Sequence, residues 1–217
     1  EEEIQRVQKL ESVGILAGGI AHDFNNILTA IVGNISYAKI LLPAGDEAHE
    51  RLDEAEKASW RAKDLTQQLL TFSRGGAPVT RPSSLPALVR DSVPFGLRGT
   101  NVRGDIFAPA DLWTVTVDPG QMNQVFNNLV INAGQAMPEG GTAVVRMENV
   151  TVPSGHPSLL PEGRYVRTSV RDEGVGIAGE HLRKVFDPYF TTKQRGSGLG
   201  LAVSYSIVKS HGGAITA

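Results

Sequence analysis

Small and apolar residues recur at strictly alternating intervals of three and four along the start of the chain: Val7, Leu10, Gly14, Ala17, Ala21, Phe24, Leu28, Ile31, Ile35, Ala38 and Leu42. This is the seam of a heptad repeat, because the helical turn of about 3.6 residues brings such positions to one side. Val13, Ile20, Ile27 and Leu41 add a second row beside the seam. A stripe this wide fits a helix in a multi-helix bundle better than a two-stranded coil. Leu42-Pro43-Ala44-Gly45 ends the helix, and Asp46 is placed to cap the next one. There Ala55, Ala58, Ala62, Leu65, Leu69 and Phe72 repeat the pattern until Gly75-Gly76-Ala77-Pro78. The result is a helical hairpin whose stripes two helices cannot cover. A symmetric dimer forming a four-helix bundle is the economical solution. The alternative is a hairpin packed on the rest of its own chain.

Beyond a linker at residues 76–86 the pattern changes to Gly- and Pro-rich α/β sequence. Leu85–Val93 reads as a short helix ending near Pro94, and Val102–Phe107 and Leu112–Val117 read as strands. Asp118–Met137 reads as a helix opened by a capping residue followed by proline. Thr142–Val150 and Tyr165–Arg171 are expected strands, Gly179–Phe186 and Gly200–Ser210 expected helices, and Ala214–Thr216 the start of a last strand. The fold class expected is α+β: a helical hairpin dimerising into a four-helix bundle (residues 1–75), then an α/β sandwich over residues 87–217.

A formal net charge of −2 argues against a nucleic-acid binder relying on phosphate contacts, and the absence of cysteine excludes disulfides and thiolate metal sites. No apolar run approaches the roughly 18 residues of a membrane span. The acidic start Glu1-Glu2-Glu3 does not read as the basic region of a secretory leader. The expectation is a cytoplasmic piece of a longer protein, without direct membrane contact.

Four segments carry chemistry. Asn128 and Asn132 lie four apart on one helix face and offer the neutral hard oxygens that Mg²⁺ accepts alongside phosphates and water. Asp172-Glu173-Gly174-Val175-Gly176-Ile177 follows a strand; its glycines permit close approach to a ligand, and Asp172 can accept from an exocyclic amine. Phe186-Asp187-Pro188-Tyr189-Phe190-Thr191-Thr192-Lys193 precedes Gly196-Ser197-Gly198-Leu199-Gly200-Leu201, a glycine-rich run leading into a helix. Backbone N–H groups at such a helix start cradle phosphates, and Lys193 adds a mobile positive charge. The run is neither a dinucleotide fingerprint nor a Walker A loop. Last, Ala21-His22-Asp23-Phe24-Asn25-Asn26 places His22 and Asp23 just off the seam, where the carboxylate could hold one ring nitrogen protonated and leave the other free to attack phosphorus.

Taken in chain order, from the His22-Asp23 segment through Asn128–Ala133, Asp172–Ile177 and Phe186–Lys193 to Gly196–Leu201, the segments resemble the sensor histidine kinases of two-component signalling, over nearly the whole chain. The resemblance implies a dimerisation and phosphoacceptor domain followed by an ATP-binding domain of the gyrase/chaperone/kinase type. It implies His22 as phosphoacceptor, Asp23 as its activator, and Asn26 at a position linked to dephosphorylation of the partner. Asn132 would coordinate Mg²⁺ with help from Asn128. Asp172 would receive the adenine amine, with Gly174, Gly176 and Ile177 lining the base pocket. Phe190, Thr192, Lys193, Gly196, Gly198, Leu199 and Gly200 would form the lid over the phosphates of ATP. The implied partners are a second copy of the chain and the receiver domain of a response regulator. The expected docking face is read from polar positions off the apolar stripes, Thr29, Asn34 and Ser36 on the first helix and Lys63 and Gln67 on the second. Two departures stand out: only Gln194 and Arg195 separate Lys193 from Gly196, and the chain stops soon after Gly212-Gly213. A water-hydrolysing ATPase of the same fold competes as a reading, but such enzymes carry Glu where Asn128 stands, and an amide cannot take a proton from water. A catalytically dead dimer would be favoured only if a motif residue were missing.

Overall fold

The structure, a computed structural model, describes residues 24–43, 46–73, 78–154, 160–193 and 196–217, with side chains 61, 64, 65 and 67–73 left out. The chain divides into two compact units, Glu1–Gly75 and Gly76–Ala217. Among the described residues no helix is long and apolar enough to cross a membrane.

In the first unit helix α1 runs over 24–41, and α2 spans Glu47–Ser73. The N-terminal half of the expected seam, with His22 and Asp23, lies outside the described residues, as do Ala44 and Gly45. Asp46 caps α2 as its position suggests: its carboxylate accepts from the Ala48 N–H at 2.8 Å. The hairpin register is fixed by polar groups. Lys39 reaches Glu56 at 2.7 Å and Asp53 at 2.5 Å, and Ser36 donates to Glu56 at 2.7 Å. The row of α2 turned to α1 therefore runs through Leu52, Glu56, Ser59, Lys63 and Thr66, whereas Ala55 and Ala58 are exposed. On α1 Leu28 is buried, but Phe24, Ile27, Ile31, Ile40 and Leu41 stay exposed. One chain leaves much of its apolar stripe uncovered.

The second unit is a layer of helices on a mixed sheet. Strand β1 (Arg81–Ser83) pairs antiparallel with β3 (Val115–Val117). A three-stranded sheet has the order β2 (Val102–Phe107), β4 (Gly141–Val152), β5 (Gly163–Arg171), with β2 parallel and β5 antiparallel to β4. Helices α3 (Leu85–Gly96), α4 (Pro119–Ala136) and α5 (Gly200–Ser210) lie side by side, with α4 between the other two. Period-two alternation gives β4 one buried face, Ala143, Val145 and Met147, matched by Val125, Phe126, Val130 and Ala133 of α4. Each large apolar side chain buried this way is worth about 1.5–3 kcal/mol, which makes α4 a rigid platform.

Several expectations need correction. The expected linker holds β1 and the first residues of α3, because β3 supplies a pairing partner. Helix α3 runs past Pro94, since a proline in the last turn costs little and the Leu97 N–H still closes on Val93 O at 3.1 Å. The strand expected from Leu112 begins only at Val115, because Asn149 holds the preceding loop: its amide oxygen accepts from Trp113 N–H at 2.9 Å and its amide nitrogen donates to Asp111 O at 3.0 Å. Residues 179–186 form successive i→i+3 turns rather than a helix, with His181 N–H on Ala178 O and Lys184 N–H on His181 O, both at 2.8 Å. No strand forms at 214–216.

Asp118 ties the unit's beginning to its centre. One carboxylate oxygen caps α4 through the N–H groups of Gly120 and Gln121, and the other accepts from Val79 N–H at 3.1 Å. The Asp118 N–H in turn donates to His211 Nε2 at 3.0 Å, while His211 Nδ1 lies 2.7 Å from Ile207 O and is the protonated nitrogen. Burial alone raises the Asp118 pKa, but the donors Gln121, Val79 and Gly120, with His211, outweigh it and hold the carboxyl below its usual range. A carboxyl depressed in the folded state contributes stability above its unfolded pKa and loses it as pH falls through the folded value. Asp118→Ala is therefore expected to cost about 1–2 kcal/mol in urea unfolding at neutral pH, and less in acid, where the parent has lost the same contribution. An equal cost at both pH values would contradict the capping account.

Candidate active site

Helix α4 presents Asn128, Asn132 and Gln135 along one face, at intervals of four and three. The Asn128 amide nitrogen donates to Gly200 O at 2.9 Å and to Ser204 Oγ at 3.3 Å, and Ser204 Oγ itself donates to Gly200 O at 2.9 Å. A carbonyl can only accept, so the nitrogen must face α5 and the Asn128 oxygen is turned the other way. Ser204 is fully buried, which makes this tie between α4 and α5 a fixed one. Asn132 Oδ1, one turn further on, accepts from Lys193 Nζ at 3.1 Å, and Gln135 Oε1 accepts from the same ammonium at 2.7 Å. Partial burial lowers the Lys193 pKa, opposed by the negative charge of Asp172 nearby.

The loop after β5 closes against the C-terminal end of α4. Asp172 Oδ1 accepts from Gly174 N–H at 2.9 Å, an Asx turn, and Val175 N–H caps Ala136 O at 3.2 Å. Position 174 has to be glycine: a Cβ there would lie 2.5 Å from Ala136 O. Gly176 has φ +72°, in the left-handed region. Ile177 is half exposed, and Asp172 is half-buried.

The lid segment is clamped at both ends. Tyr189 N–H donates to Gly198 O at 3.0 Å, with φ +64° at Tyr189 and +67° at Gly198. A Cβ on Gly198 would stand 2.4 Å from the Tyr189 carbonyl carbon, so only glycine closes this crossing. Phe186 is buried against Tyr205 at a centroid distance of 5.7 Å, and Phe190 meets His181 edge-on at 5.3 Å. Leu199, 2% exposed, anchors the far end. Between the clamps Lys193 N–H donates to Thr191 Oγ1 at 3.1 Å and Gly196 N–H to Lys193 O at 3.4 Å. Thr192 is exposed, and Gln194 and Arg195 lie outside the described residues.

The fold thus brings Asn132 and Lys193 into contact, sets Asp172 near that ammonium, and joins Asn128 to Gly200. Asn26 is exposed on α1 in the other unit. Of the expected docking residues, Thr29 and Asn34 are exposed and bonded to the carbonyls of Asn25 and Ala30. Ser36 is instead turned into the hairpin onto Glu56, because α2 passes on that side. Lys63 is half-buried with its ammonium 5.0 Å over the Trp60 ring, and the Gln67 side chain is outside the described residues. Sequence reasoning missed Gln135 and Ser204. Gln135 was open to discovery from its spacing after Asn132, whereas nothing local marks Ser204 as the partner of Asn128.

Two family models match: the His Kinase A (phospho-acceptor) domain over residues 12–78, and the histidine kinase-, DNA gyrase B- and HSP90-like ATPase over 117–217. Sensor kinase CckA of Brucella abortus (strain 2308) is 39% identical over 222 residues, covering 99% of this chain and 24% of that protein. Sensor histidine kinase ZraS of Escherichia coli (strain K12) is 34% identical over 218 residues, covering 99% of this chain and 44% of that protein. The chain therefore spans less than half the length of these relatives. Among solved structures, full-length ShkA in complex with AMPPNP superposes with a TM-score of 0.70 at 20% identity, over 90% of this chain and 40% of that one. Histidine kinase ThkA in complex with response regulator protein TrrA does so with a TM-score of 0.58 at 25% identity, over 98% of this chain and 59% of that one. With a phospho-acceptor segment ahead of an ATPase-type sandwich, and relatives of this identity along 99% of its length, the chain belongs to the two-component sensor histidine kinases, as a core that joins a phosphoacceptor domain to an ATP-binding catalytic domain.

Proposed function

We propose that residues 87–217 bind Mg-ATP, that the γ-phosphoryl group passes to His22 in the domain formed by residues 1–75, and that an aspartate of a response-regulator receiver then takes it. The observation that carries the reading is the contact of Lys193 Nζ with Asn132 Oδ1 at 3.1 Å, which joins the lid to the helix that faces the nucleotide. Among the described residues no group of three acidic or histidine side chains could hold a metal. A cation here must rely on amide oxygens together with phosphates, which suits Mg²⁺, and Asn132 Oδ1 already faces a positive charge. Bound there, Mg²⁺ would neutralise developing charge on the phosphates.

This chain's own residues do the rest. Asp172 keeps one carboxylate oxygen on Gly174 N–H and leaves the other for the adenine amine, over the apolar surface of Ile177. Gly174 and Gly176 admit the base, Gly198 and Gly200 leave N–H groups near the phosphates at the start of α5, and Gly196 closes the turn after Lys193. Phe190 and Thr192 belong to the wall of the lid, anchored by Leu199. Asp23 holds one ring nitrogen of His22 protonated. The other nitrogen forms the N–P bond as the bond from the γ-phosphorus to the bridging oxygen breaks, and ADP leaves with that electron pair. Asn128 is fixed by Gly200 and Ser204 and carries no proton-accepting carboxylate, which favours transfer to His22 over hydrolysis. Asn26, four residues after His22 in the sequence, orients a water when the phosphorylated receiver is docked.

Exposed Phe24, Ile27, Ile31, Ile40 and Leu41 support a homodimer through the hairpin, since a solitary chain would leave this apolar row in water. The receiver partner is supported by the ThkA complex with TrrA. The test is incubation with γ-labelled ATP and Mg²⁺, followed by acid and alkali treatment. The expected result is label on the protein that acid releases and alkali does not. Label stable to acid, or phosphate release with no labelled protein, would overturn the assignment.

A further inference from the structure

Lys193 makes two hydrogen bonds with different consequences. The longer, 3.1 Å, goes to Asn132 Oδ1, the oxygen assigned to the metal above; the shorter, 2.7 Å, goes to Gln135 Oε1. An ammonium and a divalent cation repel strongly at the separation a single shared oxygen would impose. Lys193 must therefore leave Asn132 when the metal arrives, yet it has to remain near the phosphates to be of use. Gln135 lies three residues further along the same face, in the last turn of α4, which has no basic residue of its own. We propose that Gln135 is a positioning residue for the lid: it holds the Lys193 ammonium one step away from Asn132, so that lysine and metal occupy the site together instead of excluding one another. The inference rests on the Mg-ATP reading above and adds to it what decides the competition between two cations.

Two simpler roles are open to Gln135: a direct contact with phosphate, or an acceptor that merely fixes the end of α4 through Lys193. Magnesium titration of AMPPNP binding at fixed nucleotide separates them, using the parent, Gln135→Met, Lys193→Met and the double variant. Methionine keeps the length of glutamine and its helix preference and removes the acceptor. In Gln135→Met the lysine is left with Asn132 alone, so the magnesium concentration at half-saturation should rise about 3- to 10-fold, the net value of one typical intramolecular hydrogen bond. In Lys193→Met the midpoint should fall, and adding Gln135→Met should then change it less than twofold. An equal rise in both backgrounds would show that Gln135 meets the nucleotide or metal itself and overturn the proposal. A lowered melting temperature with an unmoved midpoint would leave only the structural role and overturn it as well. A parent that bound AMPPNP with no magnesium dependence would sink the metal assignment first, an outcome distinct from either.

Discussion

His22→Gln should take up no acid-labile label from γ-labelled ATP, a loss of at least about three orders of magnitude in rate, while binding AMPPNP as the parent does. The amide nitrogen of glutamine has its lone pair delocalised and cannot attack phosphorus, so the variant removes the nucleophile itself rather than its orientation. Folding is not at stake. Position 22 lies beside the seam that passes through Ala21 and Phe24, and glutamine is as good a helix former as most residues. Nucleotide binding depends on the second unit, which has its own core in α3, α4, α5 and the β2-β4-β5 sheet. Undiminished labelling of the variant would move the phosphoacceptor to another residue.

Asn132→Ala should slow phosphoryl transfer by about 10²- to 10³-fold, the scale on which loss of one charge-stabilising group acts. It should also weaken AMPPNP binding in the presence of Mg²⁺. The variant is informative because little else changes: Ala is the best helix former, the side chain is only half-buried, and Lys193 keeps its shorter bond to Gln135. Asn128→Ala makes the control. There the lost groups are two bonds into α5, one to the fully buried Ser204, so unfolding free energy should drop by about 1–2 kcal/mol in addition to any loss of rate. If Asn132→Ala transferred phosphate at the parent rate, Mg²⁺ would have to be held elsewhere.

Local signals carried the sequence reading where they are strong. Asp118-Pro119 announced α4, whose carboxylate cap on Gly120 and Gln121 is a property of adjacent residues. Strand β2 falls on the six residues its pattern indicated, and α5 begins and ends where its sequence suggests, at Gly200 and Ser210. Asp46 likewise caps α2 within two residues of itself. The motifs of the candidate site are each modest alone, and it was their order along the chain that carried the family resemblance.

Other features depend on groups distant in the chain. Three residues at 81–83 carry no signal of a strand until β3 stands beside them. The run at Leu112 looks as extended as the residues after it, yet an Asn on β4 takes its backbone bonds and holds it as a loop. Residues 179–186 have helical composition but close as separate turns. At the candidate site, short motifs and the family resemblance pointed to Asn128, Asn132 and Lys193, whereas tertiary structure decided which groups they meet. Asn128 is locked onto Ser204 across 76 residues of chain, and Lys193 is shared between Asn132 and Gln135 across about 60. A sequence specifies which groups can accept or donate; which of them meet is settled only when α4, α5 and the lid pack, because burial then leaves each polar group few partners to choose from.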